Sequence, residues 1–118
     1  MIVVADASVA LKWFFRTRTD EADVDQALRL LAGVGEGQIS LLQPPHFVAE
    51  VAAVLARESP RTASTDLRDL LAIEMRTEAD AATYHQALDL AKRHKHHLFD
   101  KLYHALALCT PDAMLGDR

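Results

Sequence analysis

The stretch Ile2-Val3-Val4-Ala5-Asp6-Ala7-Ser8-Val9-Ala10-Leu11-Lys12-Trp13 decides the fold class. Ile2-Val3-Val4 is a β-branched run, long enough for a short buried strand. It meets an acid at Asp6, and Ser8 then opens a helical stretch through Val9, Leu11, Trp13 and Phe14. Strand, acid and helix in that order begin an α/β unit. In open α/β sheets ligands bind beyond the carboxyl ends of the strands, and Asp6 is placed there. Asp is also a good helix N-cap, so the position suits either role.

Outward from this stretch the segments alternate. A second helix is predicted from about Asp20 to Ala32, ended by Gly33, Gly35 and Gly37. Ile39-Ser40-Leu41-Leu42 reads as a second strand. Pro44-Pro45 closes it and opens a helix to about Arg57, with Phe47, Val51, Val54 and Leu55 at helical spacing and Glu50 at the edge of that stripe. Ser64 or Thr65 caps a short helix from Asp66 to Leu71. Ala72 to Met75 fits a short strand or the end of that helix. Thr77 with Asp80 is a weakened capping box that starts a helix to about Arg93. The last helix runs from about Phe99 to Cys109, where Pro111 stops it. Its apolar stripe is Leu98, Leu102, Leu106 and Cys109, with Asp100 opposite. No repeat or low-complexity linker interrupts the chain, so residues 1–118 are expected to form a single domain.

Composition narrows the function classes. The 118 residues are half hydrophobic and carry a net charge of −4. That balance suits a globular domain and argues against holding nucleic acid by bulk charge alone. An enzyme that meets phosphates through metal ions on carboxylates remains compatible. One cysteine, Cys109, excludes an intrachain disulfide and a Cys-only zinc site, and fits a reducing cytoplasm. No apolar run approaches the ~18 residues of a membrane span. The N-terminus lacks the basic region of a signal peptide, so a cytoplasmic protein is expected.

Three acids stand out by placement: Asp6 after the first strand, Glu50 in the helix after the prolines, and Asp100 where the last helix begins. Each has a plain structural alternative. Asp6 can cap, Glu50 can be solvated, and Asp100 can serve the helix dipole. Their contexts are Val4-Ala5-Asp6-Ala7-Ser8-Val9-Ala10-Leu11-Lys12-Trp13, Pro45-His46-Phe47-Val48-Ala49-Glu50-Val51, and Phe99-Asp100-Lys101-Leu102-Tyr103-His104-Ala105-Leu106-Ala107. In this order and spacing, from Met1 to about Leu108, they resemble the PIN-domain family, in particular the VapC-type toxins of bacterial and archaeal toxin–antitoxin pairs.

The resemblance implies a three-layer α/β/α fold with a small central parallel sheet. It also implies an Mg²⁺- or Mn²⁺-dependent endoribonuclease whose acids meet at one end of that sheet. Asp6, Glu50 and Asp100 take the catalytic positions, with Asp6 and Asp100 as metal ligands; Ser8 and Lys12 match positions beside the substrate. Hard divalent cations take oxygen ligands, relieve the mutual repulsion of clustered acids, acidify water and neutralise phosphate charge. RNA as substrate, a homodimer and a small antitoxin partner that occupies the acidic groove follow from the same resemblance, as does the absence of a membrane.

Two departures qualify it. Ala53 stands where many relatives have Asn. Relatives also continue after the last helix with a strand and then Thr-x-Asp, which supplies a fourth acid. Thr110-Pro111-Asp112 matches that triplet by letters but leaves no room for the strand. Alternatively, Pro111 to Leu115 enters a shortened strand and Asp117 supplies the acid, or the fourth acid is absent. The last strand is thus expected to be short or missing. The runner-up function is a catalytically impaired PIN domain acting as a protein-binding module.

Further residues read more simply. Lys92 to His97 form a basic stretch at a helix C-terminus, where cations suit the dipole. If it lies near Asp100, Lys92, Arg93 and Lys95 could guide RNA phosphates, as could Arg16 and Arg18. Trp13, Phe14 and Phe15 read as core or dimer contact, His104 as packing, and Cys109 as an inert residue of the apolar stripe.

Overall fold

The computed structural model describes residues 1–15, 21–95 and 97–116. Arg16, Arg18, Asp20, His96 and Asp117 lie outside the described residues. In chain order the elements are β1 (Ile2–Ala5), α1 (Ala7–Phe14), α2 (Glu21–Gly35), β2 (Ser40–Gln43), α3 (Phe47–Glu58), α4 (Ala63–Ala72), β3 (Met75–Thr77), α5 (Ala81–His94), α6 (Leu98–Cys109) and β4 (Ala113–Gly116). The four strands form one parallel sheet in the order β3-β2-β1-β4. Parallel neighbours need long crossovers, and the helices supply them. Val3, Val4 and Ala5 point alternately to the two faces of the sheet and all are buried, so both faces are covered.

The last strand is present, which corrects the expectation that it might be missing. β4 pairs with the whole of β1, from Ile2↔Ala113 to Ala5↔Gly116. The Asp6 N–H extends this ladder by donating to the Gly116 carbonyl at 2.9 Å. Asp112, with φ +63°, precedes β4 and so sits at the amino end of the sheet, a strand's length from Asp6. It therefore cannot be the fourth acid.

β1 and β2 pair only at Ile2↔Ser40 and Val3↔Leu41. Beyond that point the side chain of Gln43 takes over. Its Oε1 accepts from the Ala5 N–H at 2.8 Å, and its Nε2 donates to the Ala5 carbonyl at 2.7 Å. Gln43 is fully buried, and both ends of its amide are satisfied.

The helices are fixed by recognisable local signals. The Asp6 carboxylate caps α1 by accepting from the Ser8 N–H at 3.3 Å. Asp80, rather than Thr77, caps α5, accepting from both the N–H and the hydroxyl of Thr83; these bonds hold its pKa below the ordinary carboxylate value. α4 starts earlier than expected, after Thr62, and the ambiguous segment behind it ends in β3. Trp13 is buried, and its indole N–H donates to the Ala27 carbonyl at 2.8 Å, tying α1 to α2. Gly33 lets the end of α2 meet β2's approach: a Cβ there would fall 2.5 Å from Ile39 Cδ1.

α6 is buried on two sides. Tyr103 and Leu106 join the main core with Phe47, Val51 and Leu55, while Leu102 and Ala105 pack on Ala87 and Leu90 of α5. Leu98 and Cys109, expected in the buried stripe, are exposed because the covered arc is centred on Leu102–Leu106. No helix among the described residues is long and apolar enough to cross a membrane.

Replacing Gln43 with Leu keeps the volume but strands a buried N–H and a buried C=O on Ala5. At about 1–3 kcal/mol for each of the two unpaired groups, Gln43→Leu is expected to lower stability by roughly 2–6 kcal/mol. Urea denaturation of the two proteins measures it; an unchanged midpoint would show that β1 does not depend on this amide.

Candidate active site

From β1 the chain moves outward to β2 and β3, then returns to the other side of β1 for β4. The topology thus reverses at β1, the place where such sheets bind ligands. An open groove of about 750 Å³ lies there, lined by Asp6, Ser8, Glu50, Asp100 and Tyr103 together with Lys95, His97, Lys101 and His104. The three carboxylates come from three separate elements: the β1–α1 junction, the first turn of α3, and the first turn of α6.

Tyr103 reports how closely they converge. Its ring is buried, and its hydroxyl lacks a hydrogen bond of good geometry. Burial pushes the phenol well above its ordinary pKa, and the negative charges of Glu50, Asp6 and Asp100 push it further. One hydroxyl therefore feels all three carboxylates and keeps its proton. Glu50 is placed from its other side by His46, whose Nε2 stands 3.3 Å from Glu50 Oε2. The His46 ring lies against Tyr103, with centroids 4.9 Å apart.

The donor set suits a hard divalent cation: carboxylate oxygens, plus the buried and unpartnered Ser8 hydroxyl on the same wall as Asp6. Among the described residues no group of three or more His, Cys, Asp or Glu side chains is arranged to hold a metal by itself.

Of the residues singled out from the sequence, Asp6, Ser8, Glu50 and Asp100 meet in this groove, and Asp6 is cap and groove residue at once. Lys12 goes elsewhere. It is buried in a separate, smaller cavity with Val9, Leu30 and Leu115, its Nζ 4.0 Å from Asp23 on α2. In the basic stretch, Lys95 and His97 reach the groove and Lys92 and Arg93 are not among its lining residues. Lys95 takes the left-handed conformation, φ +52°, that ends α5. Lys101 was missed, although it directly follows Asp100, and His104, read as packing, lines the groove. Tyr103, read only as part of a motif, lines the same groove as the acids.

The chain belongs to the PIN domain family, whose model matches residues 3–115. PIN domains are typically nucleases and generally use divalent metals. Among solved structures, the chain is similar to VapC20 of Mycobacterium tuberculosis, a sarcin-ricin loop cleaving toxin. The identity is 21% and the TM-score 0.63, covering 90% of this chain and 81% of that one. At that identity the likeness speaks for the fold. No curated protein matches the sequence.

The raised Tyr103 pKa has a measurable sign. Above about pH 10 an unfolded chain gives up this proton while the folded chain retains it, so stability falls as pH rises. Urea midpoints followed from about pH 9 to 11 are expected to drop more steeply for the wild type than for Tyr103→Phe. Parallel slopes would show that another group causes the loss.

Proposed function

We propose that this protein is a metal-dependent endoribonuclease of the VapC toxin type, hydrolysing RNA phosphodiester bonds. The observation that supports it best is that Asp6, Glu50 and Asp100, from three separate elements, line one groove at the carboxyl end of β1.

In this reading Asp6 and Asp100 hold Mg²⁺ or Mn²⁺. The ion, when bound, supplies Lewis acidity that offsets phosphate charge and makes water easier to deprotonate. Glu50, fixed by His46, accepts a proton from the attacking water. Tyr103 stays protonated between the carboxylates, so it adds no charge to a site that must admit a polyanion. Ser8 offers its free hydroxyl to a substrate or water oxygen. Lys95 and Lys101 hold phosphates of the strand across the groove, which lets an acidic protein bind RNA locally. Asp117 is taken as the fourth acid, because β4 ends with Gly116 bonded to Asp6. Lys12, paired with Asp23, has its role in joining α1 to α2. A cognate antitoxin covering the groove and a homodimeric assembly belong to the same reading.

Calorimetric titration with Mn²⁺ tests the site without a known substrate. Saturable binding is expected for the wild type and at least 10-fold weaker binding for Asp6→Asn, since Asn preserves the cap while removing the charge. Cleavage of a labelled RNA is expected to fall by at least about 100-fold in Glu50→Gln. No Mn²⁺ binding by the wild type would favour the impaired, partner-binding PIN domain instead.

A further inference from the structure

Beside the acids runs a row of aromatic rings whose outer member the reading above does not use. Tyr103 sits at its inner end, 1% exposed, with the Phe47 ring edge-on behind it at 6.4 Å. His46 follows, its side chain 15% exposed and its centroid 4.9 Å from Tyr103. Phe99 ends the row, 5.3 Å from His46 and 59% exposed. The row thus leads from the core to solvent and stops one residue before Asp100.

An isolated exposed Phe needs no explanation. Phe99 differs in its support. The His46 ring beneath it is held between Phe99, Tyr103 and the Glu50 carboxylate, and neither His46 nitrogen has a well-formed hydrogen bond. A polar ring is thus spent on buttressing an apolar one on the residue just before Asp100, which lines the groove. The neighbouring groove residues are Lys95, His97, Lys101 and His104, cationic or polar groups suited to phosphates rather than to an apolar partner. Flat π-face and adjacent positive charge together are the features with which proteins bind unpaired nucleotides.

We propose that Phe99 is a stacking platform for an unpaired base of the RNA strand, next to the nucleotide whose phosphate meets Asp100. The proposal rests on the nuclease reading for its ligand.

Fluorescence anisotropy with a labelled single-stranded decaribonucleotide in EDTA, where hydrolysis is suppressed, measures the contact. Phe99→Ala is expected to weaken binding about 5- to 100-fold, and Phe99→Trp to stay within about threefold of the wild type. The indole emission of Phe99→Trp should quench as RNA is added. An abasic oligonucleotide of the same length should bind wild type and Phe99→Ala alike. Circular dichroism checks that both variants are folded. Equal affinities of wild type and Phe99→Ala for the base-bearing strand, or no RNA binding by the wild type, overturn the proposal. The two readings fail separately: a chain that cleaves RNA but ignores Phe99→Ala loses only the platform, and one that needs Phe99 to bind RNA but never cleaves loses only the nuclease.

Discussion

The structure turns on the side-chain amide of Gln43. β1 and β2 separate after two residue pairs, and at the point of separation the backbone of Ala5 would be left with a donor and an acceptor facing no partner strand. Gln43 supplies both partners from one side chain. The strands can then part without the cost of unpaired groups in the core. That parting opens the carboxyl end of the sheet beside the next residue, Asp6. On the other side of β1 the ladder with β4 runs to the Asp6 N–H itself. Asp6 is therefore gripped on both flanks through its own backbone and that of Ala5, while its side chain serves the cap and the groove.

The groove gathers its acids by a similar economy. Each of the three carboxylates sits on an element with independent reasons to be where it is: a strand end, a helix packed through Phe47 and Val51, and a helix packed through Tyr103 and Leu106. Tyr103 links these roles. Its ring is core, and its hydroxyl is the polar end of that core, exposed to the field of all three acids. A buried phenol in such a field keeps its proton to higher pH than a free one. Lys95 and Lys101 line the same groove and add positive charge beside the acids.

Much of this was legible in the residues, for reasons that differ from place to place. β1 and β2 are apolar runs with clear ends, and Asp6, Glu50 and Asp100 carry local contexts that point to one family. β4 was obscured because Thr110-Pro111-Asp112 matches a motif by letters while the strand begins just after it. The choice between strand and helix at Ala72–Met75 depended on whether β2 had a free edge, which is a tertiary fact. Gln43 gave no signal, since a polar residue ahead of two prolines reads as the end of a strand. Lys12 sat at a motif position, yet the turn of α1 carries it to the far side, toward Asp23. The role of His46 depends on Phe99 and Glu50 converging from two helices, and no spacing along the chain encodes that.

The β1–β4 ladder also bears on how the molecule comes into being. The central strand precedes its neighbour β4 by almost the whole of the fold, so the sheet closes through contacts of long sequence separation. Contacts of such separation form late, after the loop entropy between them has been overcome. On the ribosome, β1, β2 and β3 emerge with their helices well before β4, and the Asp6 backbone stays unpaired on one flank until β4 arrives. A nascent chain at that stage consequently carries the acids without the closed sheet that orders them, and the groove is completed only once β4 has docked.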